Sequence, residues 1–318
     1  MSKFIITFLG SLLFLSIMGC EMPQEPEQIS KDKPLVVVTT TQLSDLARQI
    51  GGDHIEVISL MRPGVDPHSY RATSRDIAHL HSADFVLFHG LSLEGKIARV
   101  LEDTKRKGKI HFSPCMKLSK EQLLQGTDQD EPVDPHLWFS PVLWIECSRL
   151  LTQKLIEFIP QHREVFESNF REFENSVNLI DDWGNSLIQQ VPESARILIT
   201  SHDAFRYFGR HFKIQVVALQ GINTLAEAGL ADRTNLVDFI RKHNSPALFV
   251  ESSVNPKALK EIARETGSTI GGTLFSDALG PEGQFAIGPE GTNLSTATWQ
   301  GMMSHNIRTI IKALKHDL

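Results

Sequence analysis

From residue 34 onward, short β-branched runs alternate with amphipathic stretches. Leu35-Val36-Val37-Val38-Thr39-Thr40 reads as a buried strand, and 42–50 as a helix closed by Gly51-Gly52. A strand at 54–60, a Pro/Gly loop, a helix at 74–81, a strand at 85–88, a charged helix at 93–107 and a strand at 109–112 complete a first series. The same alternation returns with strands at 197–200, 214–217 and 247–250, and helices at 204–211, 234–243 and 256–266. Strands alternating with helices predict parallel pairing and right-handed crossovers. Between the two series, 160–191 carries a single glycine, Gly184, and no internal proline. Its apolar residues Val165, Phe166, Phe170, Phe173, Val177, Ile180 and Leu187 recur at helical steps, which predicts one helix of about 30 residues, roughly 45 Å long. The expected fold class is therefore α/β: two (β/α) lobes with parallel sheets, 34–158 and 193–318, joined by a long rigid backbone helix, 159–192. Such a strut permits only small rocking between lobes.

The N-terminus follows a different pattern. Residues 4–18 form an almost unbroken apolar run behind one positive charge, Lys3. A bilayer span needs about 20 residues, so this shorter run reads as a signal-peptide core, with residues 1–19 removed. It ends in Ile17-Met18-Gly19-Cys20, which resembles the bacterial lipobox and marks Cys20 as the lipidation site, although Met18 is an untypical residue there. The polar, proline-bearing stretch that follows makes 20–33 a lipidated tether. The body is expected outside the cytoplasm, anchored in the periplasm or on the outer cell surface. In such a compartment Cys115 and Cys147 either pair or remain two separate buried thiols.

Composition narrows the classes. The chain has 318 residues, 41% hydrophobic and 22% charged, with a formal net charge of −6. That is globular composition without the concentrated basic face that nucleic acid requires, so no nucleic-acid partner is expected. The 13 histidines stand out beside 2 tyrosines.

One pattern occurs twice, Asp66-Pro67-His68-Ser69-Tyr70 and Asp134-Pro135-His136-Leu137-Trp138, each Asp-Pro-His-x-aromatic in a loop. Proline holds the backbone so that the histidine is presented in a set direction. The aspartate could accept a proton from one ring nitrogen and leave the other free for a metal. A third candidate, His202, follows a strand in Ile199-Thr200-Ser201-His202-Asp203, where ligands bind in open α/β sheets. The competing reading is that this segment only caps the next helix. Asp277, at the end of an apolar run before a Gly/Pro-rich loop, taken alone reads as a turn residue. Together these make three histidines and a carboxylate, a donor set suited to zinc and widened by the carboxylate toward manganese. His79 and His81 point to different helix faces, His305 lies in the last helix, and His162, His243 and His316 read as solvated.

The chain resembles the metal-specific family of ABC-transporter solute-binding lipoproteins, which deliver manganese, zinc or iron. The resemblance runs through the lipobox-like start, both Asp-Pro-His-x-aromatic loops, Ser201-His202-Asp203-Ala204-Phe205, Leu219-Gln220-Gly221, Phe249-Val250-Glu251-Ser252-Ser253, Leu274-Phe275-Ser276-Asp277 and the terminal helix. It implies two lobes on a backbone helix, with a divalent metal held in the interlobe cleft by His68, His136, His202 and Asp277. It also implies a monomer that passes its ion to an ABC permease powered by a cytoplasmic ATPase, and no catalytic activity.

Members dedicated to manganese usually carry Glu at the His202 position, and members dedicated to zinc carry a histidine-rich loop near the second Asp-Pro-His. Here that loop, 126–133, is acidic without histidine. The resemblance therefore points to a manganese/zinc binder, with iron(II) or zinc alone as alternatives. Glu251 is a candidate to support the metal ligands. Readings of another class are a secreted metal-dependent hydrolase, for which no His-Glu-x-x-His motif is present, and an adhesin. The Gly/Pro-rich segment 280–293 is expected to cover the loaded site as a loop.

Overall fold

The computed structural model describes residues 33–126, 132–243 and 247–315. The signal segment, Cys20, nearly all of the tether, most of the acidic loop at 126–133 and His316 lie outside the described residues.

The first series builds a four-stranded parallel sheet. Its strands are β1 (Leu35–Val38), β2 (Glu56–Ser59), β3 (Phe85–Leu87) and β4 (Ile110–Phe112), in the order β2-β1-β3-β4. β1 sits centrally because every one of its residues is buried, matching its unbroken apolar run. Leu35 registers with Glu56, and Val36 with Phe85. The intervening helices are α1 (Thr41–Gly51), α2 (Ser74–Ser82) and α3 (Ala98–Arg106). Thr40 caps α1 by accepting from Leu43 N, and Thr73 with Asp76 forms a reciprocal capping box on α2. The charged helix expected at 93–107 opens instead as a short 3-10 turn, Gly95–Ile97, before α3 begins.

Two helices then cross the molecule, α4 (Pro141–Phe158) and α5 (Arg163–Ile188). The strut is shorter than the pattern suggested, since Pro160–His162 forms a 3-10 turn ahead of it. Its 26 residues span about 39 Å. Gly184 sits where α5 meets Ile307 and Phe212, and an added Cβ would lie 2.7 Å from Ile307 Cδ1.

The second series contributes β5 (Ile197–Thr200), α6 (Arg206–Phe212), β6 (Gln215–Ala218), α7 (Leu230–His243), β7 (Ala247–Glu251), α8 (Lys257–Thr266) and β8 (Thr269–Leu274). β5 pairs with β6 and β7 with β8, both parallel, and β5 lies beside β7. The segment 280–293, expected as a loop, instead contains most of a short hairpin. β9 (Phe285–Ile287) and β10 (Asn293–Ser295) pair antiparallel and pack on the last helix, α9 (Trp299–Lys315). Gly280 N–H donates to Thr296 O, and Thr296 N–H to Gln284 O, closing the hairpin's base.

A continuous apolar cluster runs from β1 and α1 through α4 and α5 to Phe205, Phe208, Phe249 and Trp299. The two halves are thus joined through a shared core. Asp45 of α1 accepts from Trp299 N–H at 2.8 Å, and Trp299 Nε1 donates to Trp138 O at 2.8 Å. At the start of α9, a Cβ on Gly301 would overlap the Ser295 carbonyl. Gly301→Ala should therefore cost about 2 kcal/mol, a typical overpacking penalty, read as a lower urea midpoint at unchanged slope. An unchanged midpoint would mean that β10 yields freely.

Candidate metal centre

His68 lies in the turn after β2, His202 just beyond β5 and Asp277 just beyond β8. Three of the four candidate ligands thus extend from the carboxyl ends of parallel strands, where ligands gather in open α/β sheets. His136 arrives differently, on the long connection from β4, immediately before the 3-10 turn Leu137–Phe139 and the Ser140 cap of α4. His136 and His202 are fully buried, and His68 and Asp277 nearly so.

One donor atom from each of these residues lies within 4.8 Å of all the others. Asp277 Oδ1 is 3.3 Å from His136 Nε2, and Asp277 Oδ2 is 3.1 Å from His202 Nε2. His68 Nε2 faces His136 Nε2 at 3.3 Å. Donors bound tetrahedrally at about 2.0–2.1 Å from one ion sit about 3.3 Å apart, and these three spacings, two of which use different oxygens of Asp277, are of that size. The orientations agree with that. Both Asp277 oxygens and His202 Nε2 are buried without an aligned hydrogen-bond partner, as are His202 Nδ1 and Glu251 Oε2 behind the ring, and the first three lie on the side that the other donors face.

Around the donors, the two Asp-Pro-His loops differ. Asp134 Oδ1 accepts from His136 N and stands 2.8 Å from His136 Nδ1, leaving Nε2 to face the centre. Asp66 touches only the backbone of its histidine, accepting from His68 N at 2.9 Å, and its other oxygen accepts from Ser69 and Thr224. The expected ring contact is thus absent from the first copy, because Asp66 is drawn toward Thr224 of the second half. His202 does not serve as a cap. α6 begins at Arg206 with no side-chain cap, and Glu251 holds the His202 loop instead. Glu251 Oε1 accepts from Ser201 N at 2.8 Å and His202 N at 2.9 Å, while Oε2 is 2.5 Å from His202 Nδ1.

Sequence reasoning missed several supports. His89 is fully buried and its Nε2 stands 2.7 Å from Pro135 O, steadying the His136 loop. Trp138 Nε1 donates to Ser276 O, and Asn306 grips Phe275 through both N and O. Leu279 N donates to Thr41 Oγ1. A buried asparagine within the apolar pattern of α9 was the one legible signal. The other histidines stand apart: His305 contacts Thr273 O, and His54 stacks on His162, which is only half-buried.

Charge is balanced within the cluster. Burial pushes His68 down to about 3, with His136 and His202 adding repulsion against the pull of Asp277. Burial also opposes charge on His136, but Asp134 and Asp277 outweigh it and push it up to about 9. His202 is likewise raised against burial by Asp277 and Glu251. Asp277 goes well below the usual carboxylate range, because His202 and His136 overcome its burial.

The metal-free site therefore holds protons at neutral pH that an incoming cation must displace. Affinity should fall about 10- to 100-fold per pH unit on going from pH 8 to 6, for one to two protons released. Titration calorimetry in buffers of different ionisation enthalpy counts those protons, and a buffer-independent heat would contradict this.

Residues 36–313 match the family model described as "Zinc-uptake complex component A periplasmic". The chain belongs to this family. Its members are uptake-complex components rather than enzymes. The chain is 41% identical over 292 residues to the "Manganese-binding lipoprotein MntA" of Bacillus subtilis (strain 168), covering 90% of this chain and 92% of that one. It is 34% identical over 290 residues to the "Zinc-binding protein TroA" of Treponema pallidum (strain Nichols), covering 89% of each. The solved structure of the Treponema pallidum periplasmic zinc binding protein TroA superposes with a TM-score of 0.82 at 33% identity, over 89% of this chain and 99% of that one. The mixed α/β fold with parallel sheets and a long backbone helix is thus that of the TroA-like metal-binding proteins.

Proposed function

We propose that this chain captures one manganese or zinc ion outside the cytoplasm and hands it to an ABC permease driven by a cytoplasmic ATPase. His68, His136, His202 and Asp277 hold the ion. The observation that carries this reading is the convergence of four buried donors, with Asp277 left without aligned hydrogen bonds. The halves 34–158 and 193–318 act as lobes, and α5 with the shared core limits how far they separate on release. Cys20 carries the lipid anchor. No helix among the described residues is long and apolar enough to cross a membrane. The protein works as a monomer.

Three imidazoles and one carboxylate rank zinc above manganese in intrinsic affinity, so cellular supply decides the cargo. The test starts from protein refolded without metal and offered manganese, zinc and iron(II) in competition. One equivalent of metal should bind, zinc displacing manganese. At a free concentration of 1,000 Kd, it should stabilise the fold by about 4 kcal/mol, lost on adding a chelator. His68→Ala should remove most of this effect. Substoichiometric binding, or full binding by that variant, would refute the assignment.

A further inference from the structure

The metal centre makes no use of the buried pair Cys115 and Cys147. Cys115 opens the 3-10 turn Cys115–Lys117 that follows β4, and Cys147 lies in α4. Both are free, both are fully buried, and their Sγ atoms stand 3.9 Å apart. On the far side of Cys115, His89 Nδ1 is 3.5 Å from Sγ. Because His89 Nε2 faces the Pro135 carbonyl, which can only accept, Nε2 carries the proton and Nδ1 is left as an acceptor. The Cys115 thiol accordingly donates to His89, and Cys147 donates to the Cys115 sulfur.

We propose that Cys115 and Cys147 are a disulfide-forming pair. An S–S bond of about 2.05 Å requires the sulfurs to approach by a little under 2 Å. That movement would fall to the short turn carrying Cys115, since Cys147 lies within the longer helix α4. The reaction is exchange with an external disulfide, R–S–S–R, of the glutathione or protein-oxidoreductase class. One protein thiolate attacks it, forming a mixed disulfide and expelling R–S⁻. The second attacks the protein sulfur of that mixed disulfide, forming the Cys115–Cys147 bond and expelling another R–S⁻. The two thiol protons end on the two expelled thiolates; the pair loses two electrons and the external disulfide gains them. Full burial makes the folded dithiol slow to react, so pairing takes place during folding or when the Cys115 turn opens.

The bond would close a segment of sequence separation 32 that includes Asp134, Pro135 and His136. It would therefore tie down the connection that delivers one of the four donors. That an oxidant is present rests on the extracytoplasmic reading above; the pairing itself rests on geometry alone.

The test is to unfold the full chain with reductant, refold it in reduced and oxidised glutathione, and digest it after alkylation. Mass spectrometry should find the peptides containing Cys115 and Cys147 joined and two hydrogens lighter, with Cys20 outside the link. The thermal midpoint should exceed that of the reduced protein by about 5 °C, a difference abolished by dithiothreitol and absent in Cys115→Ala and in Cys147→Ala. Two separately alkylated thiols, or a link to Cys20, would overturn the proposal. So would thiols that stay reduced and instead hold one equivalent of copper(I) lost in Cys147→Ala. The readout is the same with and without zinc, so its failure is distinct from failure of the metal reading.

Discussion

Asp277→Asn is expected to lower metal affinity by more than about 100-fold at pH 8.5, with a smaller deficit at pH 7. Asp277 is the one anionic donor in the cluster, bridging His136 Nε2 at 3.3 Å and His202 Nε2 at 3.1 Å. Loss of a residue that merely supports a ligand costs about 10- to 100-fold, so loss of an anionic donor should exceed the upper end of that range. Protons act in the opposite direction. In the metal-free protein, Asp277 helps raise His136 to about 9 and His202 in the same direction. Those raised values disfavour metal at pH 7, because the ion must displace the protons. The asparagine variant gives up that proton affinity along with the metal contact, so part of its loss is recovered as the pH falls. Affinities from competition with a chromophoric chelator at the two pH values test this. An equal deficit at both would mean that Asp277 does not set the histidine protonation. No deficit at either would remove it from the ligand set.

The parts of this architecture legible along the chain are those whose signal is local. β1 and α1 could be read because a wholly buried run meets a capping threonine and a closing Gly51-Gly52 pair. The strut could be read because Phe166, Phe173, Val177 and Ile180 keep one face of α5 apolar and buried. The hairpin of β9 and β10 could not. Its strands have three residues each, and Gly283, Gly288 and Gly291 mask them as loop. α4 carries a weaker signal, since its core-facing Leu143, Trp144, Leu151 and Leu155 mix with other apolar positions.

The site divides along the same line. Repetition of Asp-Pro-His singled out His68 and His136, whereas Asp277 taken alone looked like a turn residue. What turns that aspartate inward is contact across great sequence distance: Trp138 on the Ser276 carbonyl and Asn306 on Phe275. Such contacts leave no local mark. The same holds for Asp66, identical in motif to Asp134 but drawn to Thr224, 158 residues away. A repeated motif therefore specified the histidine's place without specifying which oxygen would orient its ring.

Glu251→Gln is expected to weaken metal binding by about 10- to 100-fold, although Glu251 lies outside the four donors. Its Oε1 accepts from Ser201 N and His202 N, and glutamine's carbonyl oxygen can keep both bonds. The backbone should therefore stay in place. The change falls on the second oxygen, 2.5 Å from His202 Nδ1. A carboxylate there favours a proton on Nδ1, so that once the incoming ion displaces the Nε2 proton, Nε2 presents its lone pair to the metal. The glutamine amide would instead present an N–H to that nitrogen. Two donors cannot face one another, so the imidazole moves its proton to Nε2, the atom that must bind metal. The ion then has to reverse the tautomer or displace that proton.

Glu251→Ala separates this from simple loss of packing. It leaves Ser201 N and His202 N unsatisfied, so it should lower the stability of the metal-free protein by about 2–3 kcal/mol, whereas Glu251→Gln should lower it by less than 1. Nitrogen-detected NMR of the His202 ring in the metal-free protein at neutral pH reads this directly: both nitrogens protonated in the parent, whose ring is raised by Asp277 and Glu251, and Nε2–H alone in the glutamine variant. If the variant kept Nδ1–H and bound metal as tightly as the parent, Glu251 would be a prop for the Ser201–His202 backbone and nothing more.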